Sequence, residues 1–271
     1  MRIGFARKYS VEIGMASAFN ELGHKCFFFQ KHPDKFVNWV KTTKLNLLFC
    51  MSSSHIPSSD EITSFRKIGC RVIYWERAAK RKNGVARRFD KYFTIYDDNS
   101  GIYLPCAATD HGKLKREPSL GVTLIAAKKH DSKAWGKCRA SLHKKIDKEI
   151  NRRYTVYGNI PYKSYDSRFN IMAKSLMSIA IWNTYQAVPL RMIEVPSCRT
   201  PLISYPFPIF RKLFIPGQHY IETQSLSDSL DYYLCHKDEL DEIALNGYKH
   251  FKGHHTYIHR AHQILEELKC A

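Results

Sequence analysis

The stretch Pro189-Leu190-Arg191-Met192-Ile193-Glu194-Val195-Pro196-Ser197-Cys198-Arg199-Thr200-Pro201-Leu202-Ile203-Ser204-Tyr205 decides how the rest of the chain is read. Residues 190–198 read as the start of a helix, and 201–205 as a short apolar strand directly after it. Arg191 and Glu194 stand three residues apart, so on a helix they project from one face. A helix beginning near Leu190 presents backbone N–H groups and the positive end of its dipole, which suits a diphosphate. The Arg191 guanidinium matches phosphate oxygens, and Glu194, one turn on, can accept from two ribose hydroxyls. Taken alone, the same pair reads first as an ordinary surface ion pair, worth about 0.2–0.5 kcal/mol.

Outward from this stretch, strands and helices alternate in both directions. Upstream, strands are expected at 2–6, 26–29, 45–50, 71–75, 92–96 and 102–105. Between them lie helices at 11–22, stopped by Gly23, and at 59–68, capped by Ser59 and stopped by Gly69. Near Pro118 the pattern restarts with a strand at 122–127, a basic helix at 137–150 and a strand at 154–158. A polar, partly helical segment at 164–175 precedes a strand at 176–182, and helices at 227–234 and 237–268 close the chain. Strands separated by helical segments imply parallel sheets with right-handed crossovers. The expectation is an α/β protein of two Rossmann-like domains, 1–118 and 119–271, facing across a ligand cleft, with the last helix free to pack back on the first domain. Ligands of such sheets bind beyond the carboxyl ends of the strands.

Composition narrows the class. The chain is 44% hydrophobic and 13% aromatic, as in a packed globular protein. No apolar run approaches the ~18–20 residues that cross a bilayer, and the apolar start is broken by Arg7-Lys8, so a cytoplasmic protein is expected. The eight cysteines include no C-x-x-C pair, which argues against a zinc ribbon or a disulfide scaffold. His254, His255, His259 and His262 invite a zinc reading, but no cysteine or acid stands at matching spacing, and no metal is expected. There is no G-x-G-x-x-G, G-x-x-x-x-G-K-[ST] or H-E-x-x-H, so dinucleotide oxidoreductases, P-loop NTPases and zincins lose ground.

The formal net charge is +18 and unevenly spread. Residues 77–91 carry seven basic residues and one acid, and 128–153 carry ten against three. Such density favours a polyanion: nucleic acid, an anionic membrane surface or a phosphorylated substrate. A merely solvated basic surface is the plainer alternative.

The segment from Glu194 to Ser204 resembles the E-A-x-A-C-G-x-P-L-I-x segment of GT-B glycosyltransferases. It is most similar to the CgeB-type (spore-maturation-protein-like) branch, where R-x-x-E opens the motif. The resemblance continues through Leu213-Phe214-Ile215-Pro216-Gly217, Leu230-Asp231-Tyr232-Tyr233-Leu234 and His255-Thr256-Tyr257-Ile258-His259-Arg260. Upstream it takes in Tyr157-Gly158 and Tyr103-Leu104-Pro105-Cys106-Ala107. It implies a nucleotide-sugar-dependent hexosyl- or pentosyltransferase, with a UDP-sugar as co-substrate and neither a tightly bound cofactor nor a metal. By it Glu194 would bind the ribose, Arg191 the phosphates, and the loop after Tyr157-Gly158 the base. Lys128 and Lys129, just beyond the strand expected to end at Ala127, would neutralise the leaving diphosphate or equally belong to the basic surface. The sequence departs from the pattern at Gln186, where many retaining relatives carry Glu, and at Arg199, where Gly is usual.

An inverting enzyme would draw its base from the first domain, where Glu76 and His55 follow expected strands and Asp97 and Asp98 are weaker candidates. In this fold the first domain takes the acceptor. Its basic run points to DNA bearing a modified base, as for small basic bacteriophage glycosyltransferases. Tyr74, Trp75, Arg77, Lys80, Arg81, Lys82, Arg87 and Arg88 are the expected contacts to a flipped base and its backbone. The alternatives are a lipid-linked or cell-surface glycan acceptor met at an anionic membrane, and a non-catalytic nucleic-acid-binding protein on the same scaffold.

Overall fold

The structure, a computed structural model, describes residues 1–30, 35–51, 55–77, 88–98, 100–125, 133–150, 154–157, 165–182 and 186–270. The chain divides into two compact units, Met1–Pro105 with Tyr257–Ala271, and Cys106–Thr256.

The first unit begins β1 (Arg2–Phe5), α1 (Ser10–Glu21), β2 (Lys25–Phe28), α2 (Phe36–Thr42), β3 (Leu47–Met51) and α3 (Ser59–Lys67). It continues with β4 (Arg71–Glu76), β5 (Lys91–Thr94) and β6 (Ile102–Tyr103). Every pairing is parallel, in the order β2-β1-β3-β4-β5-β6. All five residues of β3 are buried, as they must be where helices cover both faces of a parallel sheet. Phe36, Val40, Ile62, Phe65 and Tyr74 are among the buried side chains of one apolar cluster. Gly23 and Gly69 end α1 and α3 at φ +80 and +76, a conformation that costs a glycine little. The cap of α3 is Ser58 rather than Ser59. Only Ser58 has Glu61 at the third helical position, and the two residues exchange both hydrogen bonds of a capping box. The strand order reverses between β1 and β3, so the loops after these two strands flank the crevice such a sheet uses.

The second unit comprises β7 (Leu120–Ile125), α4 (Lys133–Ile150), β8 (Tyr154–Tyr157), α5 (Tyr165–Lys174), β9 (Ser175–Ile179) and α6 (Leu190–Ser197). It is completed by β10 (Leu202–Ser204), β11 (Ile221–Glu222), α7 (Leu226–Cys235) and α8 (Lys237–His254). Its sheet is again parallel, in the order β11-β10-β9-β7-β8, reversing between β7 and β9. The sequence pattern restarts near Pro118, but the structure divides the chain between Pro105 and Cys106. Hydrogen bonds explain the earlier boundary: Ala108 N to His255 O and His111 N to Ser197 O, both 3.2 Å, and Arg116 Nη1 to Ser175 O, 3.1 Å. The C-terminal helix α9 (Tyr257–Lys269) belongs to the first unit. Its Tyr257 ring lies where a Cβ on Gly14 would stand, and Leu268 O accepts from Arg71 Nη1 at 2.7 Å. Among the described residues no helix is long and apolar enough to cross a membrane.

Candidate functional site

In the second unit α5 and α6 pack on one another. Each starts where the chain has just left a strand's carboxyl end, β8 for α5 and β9 for α6. Helix α6 begins at Leu190 after an extended Pro189, φ −70 and ψ 145. Met192, Ile193 and Val195 are buried and seat it, which carries Glu194 inward to 1% exposure. The Glu194 carboxylate accepts from two arginines. Arg191 Nη1 reaches Oε2 and Arg168 Nη2 reaches Oε1, each at 2.5 Å. Ser197 Oγ donates to the Glu194 carbonyl at 2.6 Å, fixing the same turn. The expected Arg191/Glu194 pair is therefore present, but as two members of a triad centred on a buried carboxylate. Charge-assisted bonds of this kind are roughly twice as strong as neutral ones, and a carboxylate this deep requires them.

Arg168 is the member that sequence reasoning missed. It stands in the first turn of α5, twenty-six residues before Glu194, and no motif links them. Only the packing of α5 on α6 joins them. Phe169, the next residue, stacks on His111 at 3.6 Å, with the Arg168 guanidinium 4.8 Å from the Phe169 ring. Burial pushes the neighbouring Cys198 thiol up to about 12, so it stays a neutral packing group.

Arg199, where the resemblance expects glycine, adopts φ +57. The left-handed turn is thus made by a side chain that pays about 1–2 kcal/mol for it, and the guanidinium lies 4.7 Å from the Tyr248 ring. Tyr157 closes β8, in register with Ile125. Gly158, Lys128 and Lys129 lie outside the described residues. Gln186 is exposed, ahead of α6.

In the first unit Glu76 ends β4 at 1% exposure, with Tyr74 Oη 3.4 Å from its Oε2. His55, half-buried, has its ring 4.7 Å from that of Phe36 and its Nε2 3.8 Å from Glu61. Trp75 and Tyr74 do not offer surfaces to a base: both are fully buried. Trp75 donates from Nε1 to Leu104 O at 3.0 Å, and Tyr74 stacks on Phe89 at 4.9 Å. The reason is β4's place inside a sheet covered on both faces, where alternate residues are buried equally. Arg77 is half-buried, its guanidinium 5.3 Å from the Trp75 ring. Arg88, also half-buried, offers its carbonyl to Arg66 Nη2 at 2.8 Å. Lys80, Arg81, Lys82 and Arg87 lie outside the described residues.

Glu12 also went unnoticed in the sequence, because it reads as one more charge in a helical first turn. It is 1% exposed, and burial raises its pKa against the opposing pull of its own backbone N–H, Arg77 and Arg7. Among the histidines weighed for zinc, His255 has Nε2 3.3 Å from Leu213 O, an oxygen that His250 Nε2 approaches to 2.7 Å. His219 stacks on His250 at 4.1 Å. Among the described residues no group of three or more His, Cys, Asp or Glu could hold a metal ion.

Residues 139–266, most of the second unit and much of α9, match the family model described as "Glycosyl transferase-like". No curated protein matches the sequence. Solved structures match along the whole chain. A glycosyltransferase from Rickettsia africae ESF-5 has a TM-score of 0.66 at 10% identity, with 99% of this chain and 97% of that one covered. Sucrose-phosphate synthase from Thermosynechococcus elongatus has 0.64 at 11%, covering 99% and 98%. Anabaena Alr3699/HepE, in complex with UDP-glucose, has 0.62 at 10%, with both chains covered completely. At these identities the likeness speaks for the fold: two α/β units with parallel sheets, the GT-B fold.

Proposed function

We propose that the chain is a nucleotide-sugar-dependent glycosyltransferase of the CgeB-like type whose second unit holds the donor at the start of α6. The observation that carries this reading is the triad Arg168–Glu194–Arg191, at the carboxyl side of the sheet and inside the segment that matches the glycosyltransferase-like family model. A UDP-sugar is the donor we favour, since HepE, alike in fold, was solved with UDP-glucose. In the reaction an acceptor oxygen bonds to the anomeric carbon, the bond from that carbon to the diphosphate oxygen breaks, and the acceptor proton passes to a base. Arginine, Lys128, Lys129 and the helix dipole balance the charge that develops on the leaving diphosphate. The loop after Tyr157-Gly158 takes the nucleobase. Glu76 and His55 are the proposed bases, both close to the carboxyl ends of strands of the first sheet.

The acceptor we propose is DNA, on the strength of the +18 charge and the basic run 77–91. With Trp75 and Tyr74 buried, the cations Arg77, Lys80, Arg81, Lys82, Arg87 and Arg88 are left to meet its backbone. Calorimetry with UDP and other nucleoside diphosphates tests the donor. Transfer from labelled UDP-sugars to duplexes with hydroxylated bases tests the acceptor. Binding of no nucleoside diphosphate overturns the enzyme reading. Transfer only to a glycan, with affinity for anionic vesicles and none for DNA, overturns the acceptor.

A further inference from the structure

The resemblance gives Glu194 the ribose, yet the structure commits that carboxylate elsewhere. Both oxygens are engaged at 2.5 Å, by Arg168 and by Arg191, and the residue is 1% exposed. Releasing either arginine to admit two hydroxyls would leave a buried charge unpaired, which is strongly destabilising, whereas hydroxyl hydrogen bonds return little over those with water. Of the three side chains the arginines are the more exposed, Arg168 at 11% and Arg191 at 28% against 1% for Glu194. Each guanidinium has five N–H donors in a fixed fork that matches phosphate oxygens.

We infer that Glu194 is a positioning residue that holds Arg168 and Arg191 as a two-armed clamp for the diphosphate of the donor. This rests on the nucleotide-sugar reading of the second unit and assigns Arg168 to the site. The arms stand in the first turns of two neighbouring helices, α5 and α6, whose starts share the carboxyl side of the sheet. Side-chain hydrogen bonds hold the support still. Thr200 Oγ1 donates to Met172 O at 2.7 Å, tying α5 to the turn after α6, and Ser175 Oγ donates to Ile171 O at 2.6 Å. A fork fixed before the ligand arrives loses little freedom on binding.

Calorimetry on the full chain with UDP, uridine and inorganic pyrophosphate separates the two roles of Glu194. With Glu194→Ala or Arg168→Ala, UDP and pyrophosphate should each bind about tenfold or more weaker, as loss of bonds to charged groups implies, while uridine binds as before. Glu194→Gln and Arg168→Lys, which keep the side-chain bulk, serve where the alanine variants do not fold, and the same split is expected. Equal weakening of uridine and UDP in the Glu194 variant would show a ribose contact and overturn the clamp. So would unchanged UDP affinity in the Arg168 variant, with the nucleotide-sugar reading left standing. Pyrophosphate binding that depends on both arginines, in a protein that binds no nucleoside diphosphate, would keep the clamp and defeat that reading. A wild-type protein that binds none of the three defeats both.

Discussion

The two units are built on one sheet plan, yet the buried carboxylates Glu194 and Glu12 meet different surroundings. In both, the strand order reverses beside the first strand of the unit, between β1 and β3 and between β7 and β9. The second unit holds its buried carboxylate, Glu194, between two arginines. The first unit buries Glu12 and Glu76, each 1% exposed, and burial holds the Glu12 carboxyl above the ordinary range. A preformed cationic fork is what a departing diphosphate needs, and a desolvated carboxyl is what proton transfer needs. In the proposed function anion binding falls to the second unit and proton transfer to the first.

Two substitutions break this contrast with the largest effects. Glu194→Ala leaves two guanidiniums without their carboxylate and should cost about 3–5 kcal/mol of stability. Trp75→Ala empties a fully buried site and strands the Leu104 carbonyl, also about 3–5 kcal/mol. Urea unfolding measures both. A loss below about 1 kcal/mol for Glu194→Ala would mean an exposed pair, and an unchanged stability for Trp75→Ala would return that indole to the surface.

An intermediate effect sharpens the comparison through pH. Burial, then His250, then His254, lowers His219 to about 4 from its ordinary 6.5. Between these values the unfolded chain binds a proton that the folded chain refuses, so stability is full above about 6.5 and falls as pH drops toward 4. Replacing His219 with glutamine should flatten the midpoint of urea unfolding across that window; an unaltered slope would place the effect on other groups.

The smallest effect concerns Arg199. Glycine there relieves a left-handed conformation at the expense of a cation–π contact with Tyr248, so Arg199→Gly should change stability by less than about 1 kcal/mol, toward stabilisation. Thermal melting reads it, and a large loss would show that the Tyr248 contact dominates.

The sequence carried what is local. Apolar runs such as Leu45 to Cys50 announced the strands, here β3 at Leu47–Met51, and the spacing of Arg191 and Glu194 survives intact on α6. It was silent where a partner arrives through the fold. Nothing near Arg168 points to Glu194, and the loop that carries Leu213 and His219 meets His250 and His255, at the end of α8, only through the fold. The burial of Trp75 was hidden for another reason. An aromatic followed by Glu and Arg at a strand's end reads the same whether the strand is central or at an edge. Helix α2 escaped because its seven residues bury only Phe36 and Val40, too brief a pattern for a period.

Titration of the full chain with UDP, repeated with Arg191→Ala, bears most directly on the donor site. Saturable binding that weakens with added salt and falls about tenfold or more in the variant is the expected result. No saturable binding of UDP or any other nucleoside diphosphate, or equal affinity in the variant, would contradict it.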